Sequence, residues 1–372
     1  MRLTIERSHL LKSLQHVQSV VERRNTIPIL SNLLISSADS QLSLTATDMD
    51  IAVVDSSPSE VGQAGATTAP AHMLYDIVRK LPEGAQVEIA TEDGNDRLSL
   101  RTGRSKFSLH CLPTEDFPQV ADGELGHQFA LPAKDLRRLI DKSRFAISTE
   151  ETRYYLNGIY LHAVENGNQP VLRAVATDGH RLARVEVALP AGAEGMPGVI
   201  VPRKAIGELR KLLEDFDEEV QVGLSEVKIR FVLGTATLSS KLIDGTFPDY
   251  ARVIPEGNDK IMTVPGKAFA DAVDRVSTIA SDKSRAIKLS IADDKVVLSA
   301  HSPDQASATE ELAVDYGGEA IDIGFNSRYV LDMTQQIEGD SIKFEMADAA
   351  SPTVVCDSDD PLALYVLMPM RV

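Results

Sequence analysis

The chain has 372 residues, 43% hydrophobic and 25% charged, a length that predicts two or three domains and enough apolar material for several cores. The longest apolar run, residues 362–368, falls far short of the roughly 20 residues of a membrane span, and the opening MRLTIERSH has no apolar signal core, so the expected location is the cytoplasm. A net charge of −17 argues against nucleic-acid binding through bulk charge alone, and Cys111 and Cys356, outside any CxxC, read as free thiols of a reducing compartment.

One unit recurs six times along the chain. A short β-type run meets a Pro or polar breaker, then an amphipathic helix, then turn-separated strands. The lead-ins are LTIERSHLLKSL, TTAPAHMLYDIV, FALPAKDLRRLI, VIVPRKAIGELR, MTVPGKAFADAV and IGFNSRYVLDMT. The breakers are Glu6, Pro70, Pro132, Pro202, Pro265 and Asn326, spaced by 64, 62, 70, 63 and 61 residues. Proline presets φ and lacks an N–H, so it suits a first helical turn; Ser8 and Ser327 are the candidate N-caps where proline is missing. Apolar residues follow at helical spacing, as in Leu10, Leu14 and Val17, in Ile206, Leu209 and Leu213, and in Phe269, Val273 and Val276. After each helix come strand-like runs such as QVEIA, RLSLR, KFSLH, KIRFVL and TATLSS, separated by EDGND (92–96), by ENGNQ (165–169) and by ADD.

The units pair. Odd ones continue into ILSNLLISSADSQLSLTATDMDIAV, YLNGIYLHAVENGNQPVLRAVATDGHRLARV and AIKLSIADDKVVLSAHSPDQASATEEL; the first two even ones end in LPTEDFPQV and LIDGTFPDYARV. The expected fold class is α+β, with three similar domains at 1–121, 127–252 and 257–372, each of two strand–helix–strands units. A threefold chain of this kind ends open or closes head-to-tail with a second copy.

Charge is segregated. The six helical windows 8–24, 70–81, 132–144, 202–213, 265–276 and 326–337 hold 17 basic and 8 acidic residues, a net +9, so the rest carries −26. Two readings fit: solvated helix faces without further role, or helices lining a surface that meets a polyanion through sequence-independent phosphate contacts. With no Trp and 5% aromatics, stacking platforms for single strands are thinly supplied, which favours duplex backbone.

Catalytic spacings are missing: no HExxH, GxSxG, GxGxxG or Walker A. The eight histidines are scattered without metal-ligand spacing, and neither a metal nor a cofactor is expected. In TDGHR (177–181), Asp178 and His180 could form an acid–base pair, which keeps a hydrolase in view; Asp-Gly between β-rich runs is also a hairpin-turn signature. A repeat scaffold unrelated to DNA is the third class.

TRYYLNG (152–158), ATDGHRLA (176–183), VIVPRK (199–204), SKLIDGTFPDYARV (240–253), IGFNSRYVLD (323–332) and YVLMPMRV (365–372), with PILSNLL (28–34) and GRSKFSLHCLP (103–113), resemble the bacterial β sliding clamps, the processivity subunits of replicative DNA polymerase III. The match runs in order through the whole chain. It implies the DNA clamp fold, two chains closed head-to-tail as a homodimeric ring, helices lining the hole around double-stranded DNA, and no catalytic activity of its own. It implies a shared pocket for Leu/Phe-bearing peptides of the polymerase alpha subunit, the clamp loader delta subunit, other polymerases and repair proteins.

Carried over position by position, that pocket would use Arg153, Leu156, Thr177, Gly179, His180, Arg181, Leu182, Pro248, Arg252, Val253, Val366, Met368 and Met370. An apolar cleft with a polar rim suits such peptides, and methionines adapt to several ligands. Arg24, Arg79, Arg203 and Lys204 match the DNA contacts, and Phe107 and Leu109 would meet Thr278 and Ile279 of a second chain at the seam. Three departures stand out. His72 and Met73 replace basic residues after Pro70; Thr278 is less apolar than a seam asks; and 304–309, DQASAT, lacks an acidic run, leaving Glu310 and Glu311 as partners for Arg104 and Lys106.

Overall fold

A computed structural model describes residues 1–92, 96–120, 123–167, 169–280, 284–302 and 306–372. The turn segments 92–96 and 165–169, the domain limit at 121 and the segment 304–309 therefore lie partly or wholly outside the described residues.

Among the described residues six α-helices occur, one per repeat: α1 Arg7–Val17, α2 Ala71–Arg79, α3 Ala133–Asp141, α4 Arg203–Leu212, α5 Gly266–Ser277 and α6 Ser327–Thr334. Each follows directly on a strand: Arg2–Glu6, Gly65–Pro70, His127–Pro132, Val199–Pro202, Lys260–Pro265 and Ile321–Asn326. The helical spacing buries one face, with Leu10, Leu14 and Val17 of α1 and Phe269, Val273 and Val276 of α5 inaccessible or nearly so.

The capping expectation fails at both serines. The N-cap of α1 is Glu6, and Ser8 Oγ merely donates to Glu6 Oε1 at 3.0 Å. The N-cap of α6 is Asn326, whose side chain accepts from the Arg328 amide at 3.0 Å. The reason is geometric: strand runs straight into helix, so the cap falls on the last strand residue. Pro70 and Pro265 hold that same position, one residue before the first turn, each with φ −59.

The lead-in strands are exchanged between the two halves of each repeat pair. Arg2–Glu6 pairs with Gln86–Thr91, a strand of the second half, while Gly65–Pro70 returns to Asn32–Ala38 of the first. The same exchange sends Lys260–Pro265 to Ser341–Met346 and Ile321–Asn326 to Ala286–Ala292. Neither half closes its sheet alone, which is why the repeat folds in pairs.

Among the described residues four antiparallel sheets result. One of five strands runs Glu60–Gln63, Arg2–Glu6, Gln86–Thr91, Arg97–Thr102, Ser105–His110. One of eight runs His127–Pro132, Glu219–Leu224, Lys228–Leu233, Ala236–Lys241, Ile51–Pro58, Gln41–Thr47, Asn32–Ala38, Gly65–Pro70. One of nine runs Val199–Pro202, Gly158–Asn166, Gln169–Thr177, Arg181–Ala188, Asp360–Leu367, Thr353–Asp357, Ser341–Met346, Lys260–Pro265, Asp315–Tyr316. The last, of four, runs Ser307–Ala313, Lys295–His301, Ala286–Ala292, Ile321–Asn326.

Packing divides the chain into two compact units. One is Met1–Lys134 with Pro190–Ala193 and Lys204–Leu242; the other is Asp135–Leu189 with Glu194–Arg203 and Ile243–Val372. Each contains a seam at which strands of successive repeat pairs join one sheet. In the first unit Ala236–Lys241 pairs with Ile51–Pro58; in the second Asp360–Leu367 pairs with Arg181–Ala188. The first seam is pinned from α1: His16 Nδ1 lies 2.8 Å from Asp55 Oδ2, and Thr235 Oγ1 donates to Asp55 Oδ1 at 2.8 Å. Burial would raise the Asp55 pKa, but these bonds outweigh it and hold the carboxyl below its ordinary range.

Candidate peptide-binding site

The second seam brings the pocket residues together. Leu182 faces Val366 across the antiparallel pair. Both are buried, as is Leu156, and the three share one apolar cluster with Val175, Ile200, Phe247 and Tyr250. Residues from five separate stretches thus form one floor. Val253, three residues after Tyr250, is 49% exposed, and Met368, two after Val366, is 40% exposed.

The TDGHR segment is a turn locked by its own side chains. Thr177 Oγ1 donates to the Arg181 carbonyl and accepts from the Gly179 amide, at 2.7 and 3.1 Å. Asp178 Oδ1 accepts from the amides of His180 and Arg181, at 2.9 and 3.0 Å. Asp178 thus caps the turn, and the exposed His180 ring stacks on Tyr329, 6.2 Å between centroids. Gly179 has φ +88, which favours glycine, and a β-carbon there would lie 2.5 Å from Arg153 Nη1, the movable end of a long side chain.

The polar rim is ordered by local ion pairs. Arg153 forks onto Glu150, with Nε to Oε2 at 2.8 Å, which holds the Glu150 carboxyl below its ordinary pKa. Arg252 is exposed and paired to Asp249 at 2.8 Å, and Pro248 is exposed beside Phe247. The Arg181 guanidinium meets Asp178 and Asp332 and sits 4.4 Å from the Tyr329 ring centroid, which ties the turn to Ser327–Thr334. Met370, half-buried, donates its amide to the Gly324 carbonyl at 2.9 Å, tying the C-terminal segment to Ile321–Asn326.

Several residues of the site had no expectation attached. Phe247 stacks on Tyr160 at 4.9 Å, nearly parallel, and Tyr160 stacks on His162 at 4.6 Å. Behind the floor, Arg173 Nη1 donates to the Tyr250 hydroxyl at 2.8 Å, which leaves that hydroxyl to donate to His162 Nε2 at 2.9 Å. Arg173 also pairs with the buried Glu186 at 2.7 Å. Burial, then the Arg173 charge, pushes His162 down to about 4. The aromatic FPDY motif signals Phe247 and Tyr250; the network behind them joins strands remote in sequence and leaves no local pattern.

The four DNA-contact candidates differ in availability. Arg24 and Arg203 are exposed. Arg79, in the last turn of α2, is half-exposed and paired with Asp76 at 2.9 Å. Lys204 is held by Asp48 and Glu22; burial alone would lower its pKa, but the two carboxylates keep it above its ordinary value. His72 is turned to Gln18 and the Val21 carbonyl.

At the seam candidates, Ser105–His110 and Ser307–Ala313 are both edge strands. Leu109 is already buried in its own sheet, so Phe107 is the apolar side chain that edge presents. Thr278 is exposed and Ile279 half-buried just past α5. Glu310 forks onto Arg275, and Glu311 meets Lys295 at 3.3 Å. Among the described residues no group of three or more His, Cys, Asp or Glu could hold a metal ion, and no helix is long and apolar enough to cross a membrane.

Three family models match in succession, described as the N-terminal, central and C-terminal domains of the DNA polymerase III beta subunit, at residues 1–121, 130–249 and 251–371. The beta sliding clamp of Caulobacter vibrioides is 54% identical over 372 residues, covering all of both chains. That of Escherichia coli is 39% identical over 374 aligned positions, again with full coverage. Among solved structures, a DnaN sliding clamp of Bartonella birtlesii bound to griselimycin has a TM-score of 0.97 at 51% identity, with 100% of each chain covered.

Proposed function

The chain belongs to the DNA polymerase III beta subunit family, and from that premise we propose that it is a sliding clamp: a ring that encircles duplex DNA and tethers the replicative polymerase through the pocket at Leu156, Leu182 and Val366. Its domains are 1–121, 127–252 and 257–372. Its work is mechanical, with no reaction assigned to Asp178 or His180.

One observation carries the ring. Both internal seams join the third strand after the helix of a first half-unit to the third strand after the helix of a second half-unit in the next domain: Ile51–Pro58 with Ala236–Lys241, and Arg181–Ala188 with Asp360–Leu367. The two such strands left over, Ser307–Ala313 and Ser105–His110, are one of each kind, at the edges of sheets of four and five strands. Joined between copies, they complete a third seam, in a sheet of nine strands beside the internal ones of eight and nine. Exposed edges of this sort invite pairing with another chain. A second copy repeats the operation and closes the ring. Phe107 then packs near Ile279 and Thr278 of the partner.

Held by topology, the clamp needs only weak phosphate contacts from Arg24, Arg79, Arg203 and Lys204, and screened contacts of that kind permit sliding. The acidic remainder keeps DNA off other surfaces. The pocket serves the polymerase alpha subunit, the loader delta subunit, and other polymerases and repair proteins in turn, in the cytoplasm. Native mass spectrometry tests the assembly: the expected mass is twice the 40.4 kDa of one chain, and a monomer at micromolar concentration overturns the closed dimer.

A further inference from the structure

The first seam repeats, bond for bond, the turn that builds the peptide site at the second. Thr47 Oγ1 donates to the Ile51 carbonyl at 2.9 Å, as Thr177 Oγ1 does to Arg181. The Met49 amide donates to Thr47 Oγ1 at 3.1 Å, as Gly179 does to Thr177. Asp48 Oδ1 accepts from the amides of Asp50 and Ile51, at 3.0 and 2.8 Å, as Asp178 does from His180 and Arg181. The Lys241 amide donates to the Asp50 carbonyl at 2.8 Å, as that of Met368 does to His180. Ala52 faces Ser239 where Leu182 faces Val366. The sequences agree: ATDMDIA (46–52) against ATDGHRL (176–182), and FPQV (117–120) against FPDY (247–250).

The differences define what this place would hold. Ala52 and Ser239 are smaller than Leu182 and Val366, and a cavity of about 280 Å³ opens there, lined by Met49, Ile51, Ala52, Pro118, Val120 and Val227. That size suits one or two side chains rather than a cofactor. Met49 keeps φ +81 at the position where the other turn has glycine, a conformation that side chains avoid. Met49 is 53% and Val227 71% exposed, and both line the cavity. Where the peptide site has Met368, this one has Lys241. Its ammonium lies 3.0 Å from Asp50 Oδ1, and both side chains are well exposed. A pair so hydrated is weak, and an incoming carboxylate can displace Asp50 from it.

We propose that this cavity is a second docking site, which takes a short acidic segment of a partner protein with one apolar side chain against Met49 and Val227 and a carboxylate at Lys241. The choice of a peptide rests on the reading of the Leu182–Val366 site as a peptide pocket; the choice of an acidic one rests on Lys241.

Methyl NMR on the full chain, ¹³C-labelled at methionine, watches both sites at once, with Met49→Leu and Met368→Leu assigning the two signals. The probes are a capped hexapeptide of alternating Leu and Asp and its Leu/Lys counterpart. The Met49 methyl should shift saturably with the acidic peptide and bind the basic one about fivefold more weakly. Lys241→Glu, or the gentler Lys241→Gln, should weaken the Met49 response while leaving that of Met368, and Lys241→Met should erase the preference for acid. An unmoved Met49, or equal response to both peptides, overturns the proposal. A silent Met368 with a responding Met49 instead overturns the peptide reading of the Leu182–Val366 site.

Discussion

The Met368 amide donates to the His180 carbonyl at 2.9 Å, stitching the chain's last strand to the turn that opens Arg181–Ala188. The bond is backbone to backbone, so any side chain at 368 can make it. What methionine adds is an adaptable thioether, 40% exposed, two residues after the buried Val366.

Met368→Ala should therefore keep the seam and lose the anchor. An apolar anchor of this kind contributes about 1 to 3 kcal/mol, so a fluorescent Leu/Phe peptide of the polymerase should bind at least several-fold more weakly, with thermal stability almost unchanged. Deleting residues from Met368 onward should weaken peptide binding further and lower the melting temperature too. Unchanged affinity in Met368→Ala would remove this methionine from the pocket.

Gly179→Ala tests the rim. The left-handed backbone alone makes a β-carbon cost about 1 kcal/mol, and the new methyl would stand 2.5 Å from Arg153 Nη1. The Arg153 guanidinium must then shift from its place beside Glu150. We expect a modest loss of stability, weaker peptide binding, and a changed Arg153 side-chain environment by NMR. A variant that binds peptide as well as the parent would show that the order of the Arg153–Glu150 pair does not matter to the site.

Ile279→Asp tests the chain-to-chain seam. Ile279 is only half-buried in the single chain, so the monomer should fold; in the dimer the carboxylate would be buried opposite Phe107, a cost of several kcal/mol by rough analogy with other unpaired buried charges. Sedimentation velocity at nanomolar concentration should show monomers for the variant and dimers for the parent. A fully dimeric variant would move Ile279 out of the interface.

The half-buried His162 predicts an acid weakness. Its folded pKa is pushed down to about 4 from 6.5, first by burial. Below pH 6.5 the unfolded chain takes up a proton that the folded one refuses. Stability should fall as pH drops from 6.5 toward 4, by about 3 kcal/mol at the lower end from this group, and the loss should level off below 4. His162→Gln keeps a hydrogen-bonding partner for the Tyr250 hydroxyl and should flatten this part of the urea-midpoint profile. An equally steep profile in the variant would assign the acid loss to other groups.

The repeat, the six helices and their buried faces were legible because each rests on local spacing. Leu156, Leu182 and Val366 were placed by resemblance, since no pattern within a single strand shows that residues so far apart share a floor. Three things were not legible. The lead-in strands exchange partners between halves, which depends on pairing remote in sequence. The caps fall on Glu6 and Asn326 because strand meets helix without a linker. The network of His162, Tyr250, Arg173 and Glu186 is assembled only when its strands and the FPDY segment pack together.

Encirclement predicts that the chain stays on circular DNA through a salt wash. Protein loaded onto nicked circular DNA should stay bound in molar salt, because screening removes phosphate attraction but leaves a closed ring. Linearising the same DNA should release it, since a ring slides off an end. Equal loss from circular and linear DNA at high salt would contradict encirclement and leave only simple phosphate binding.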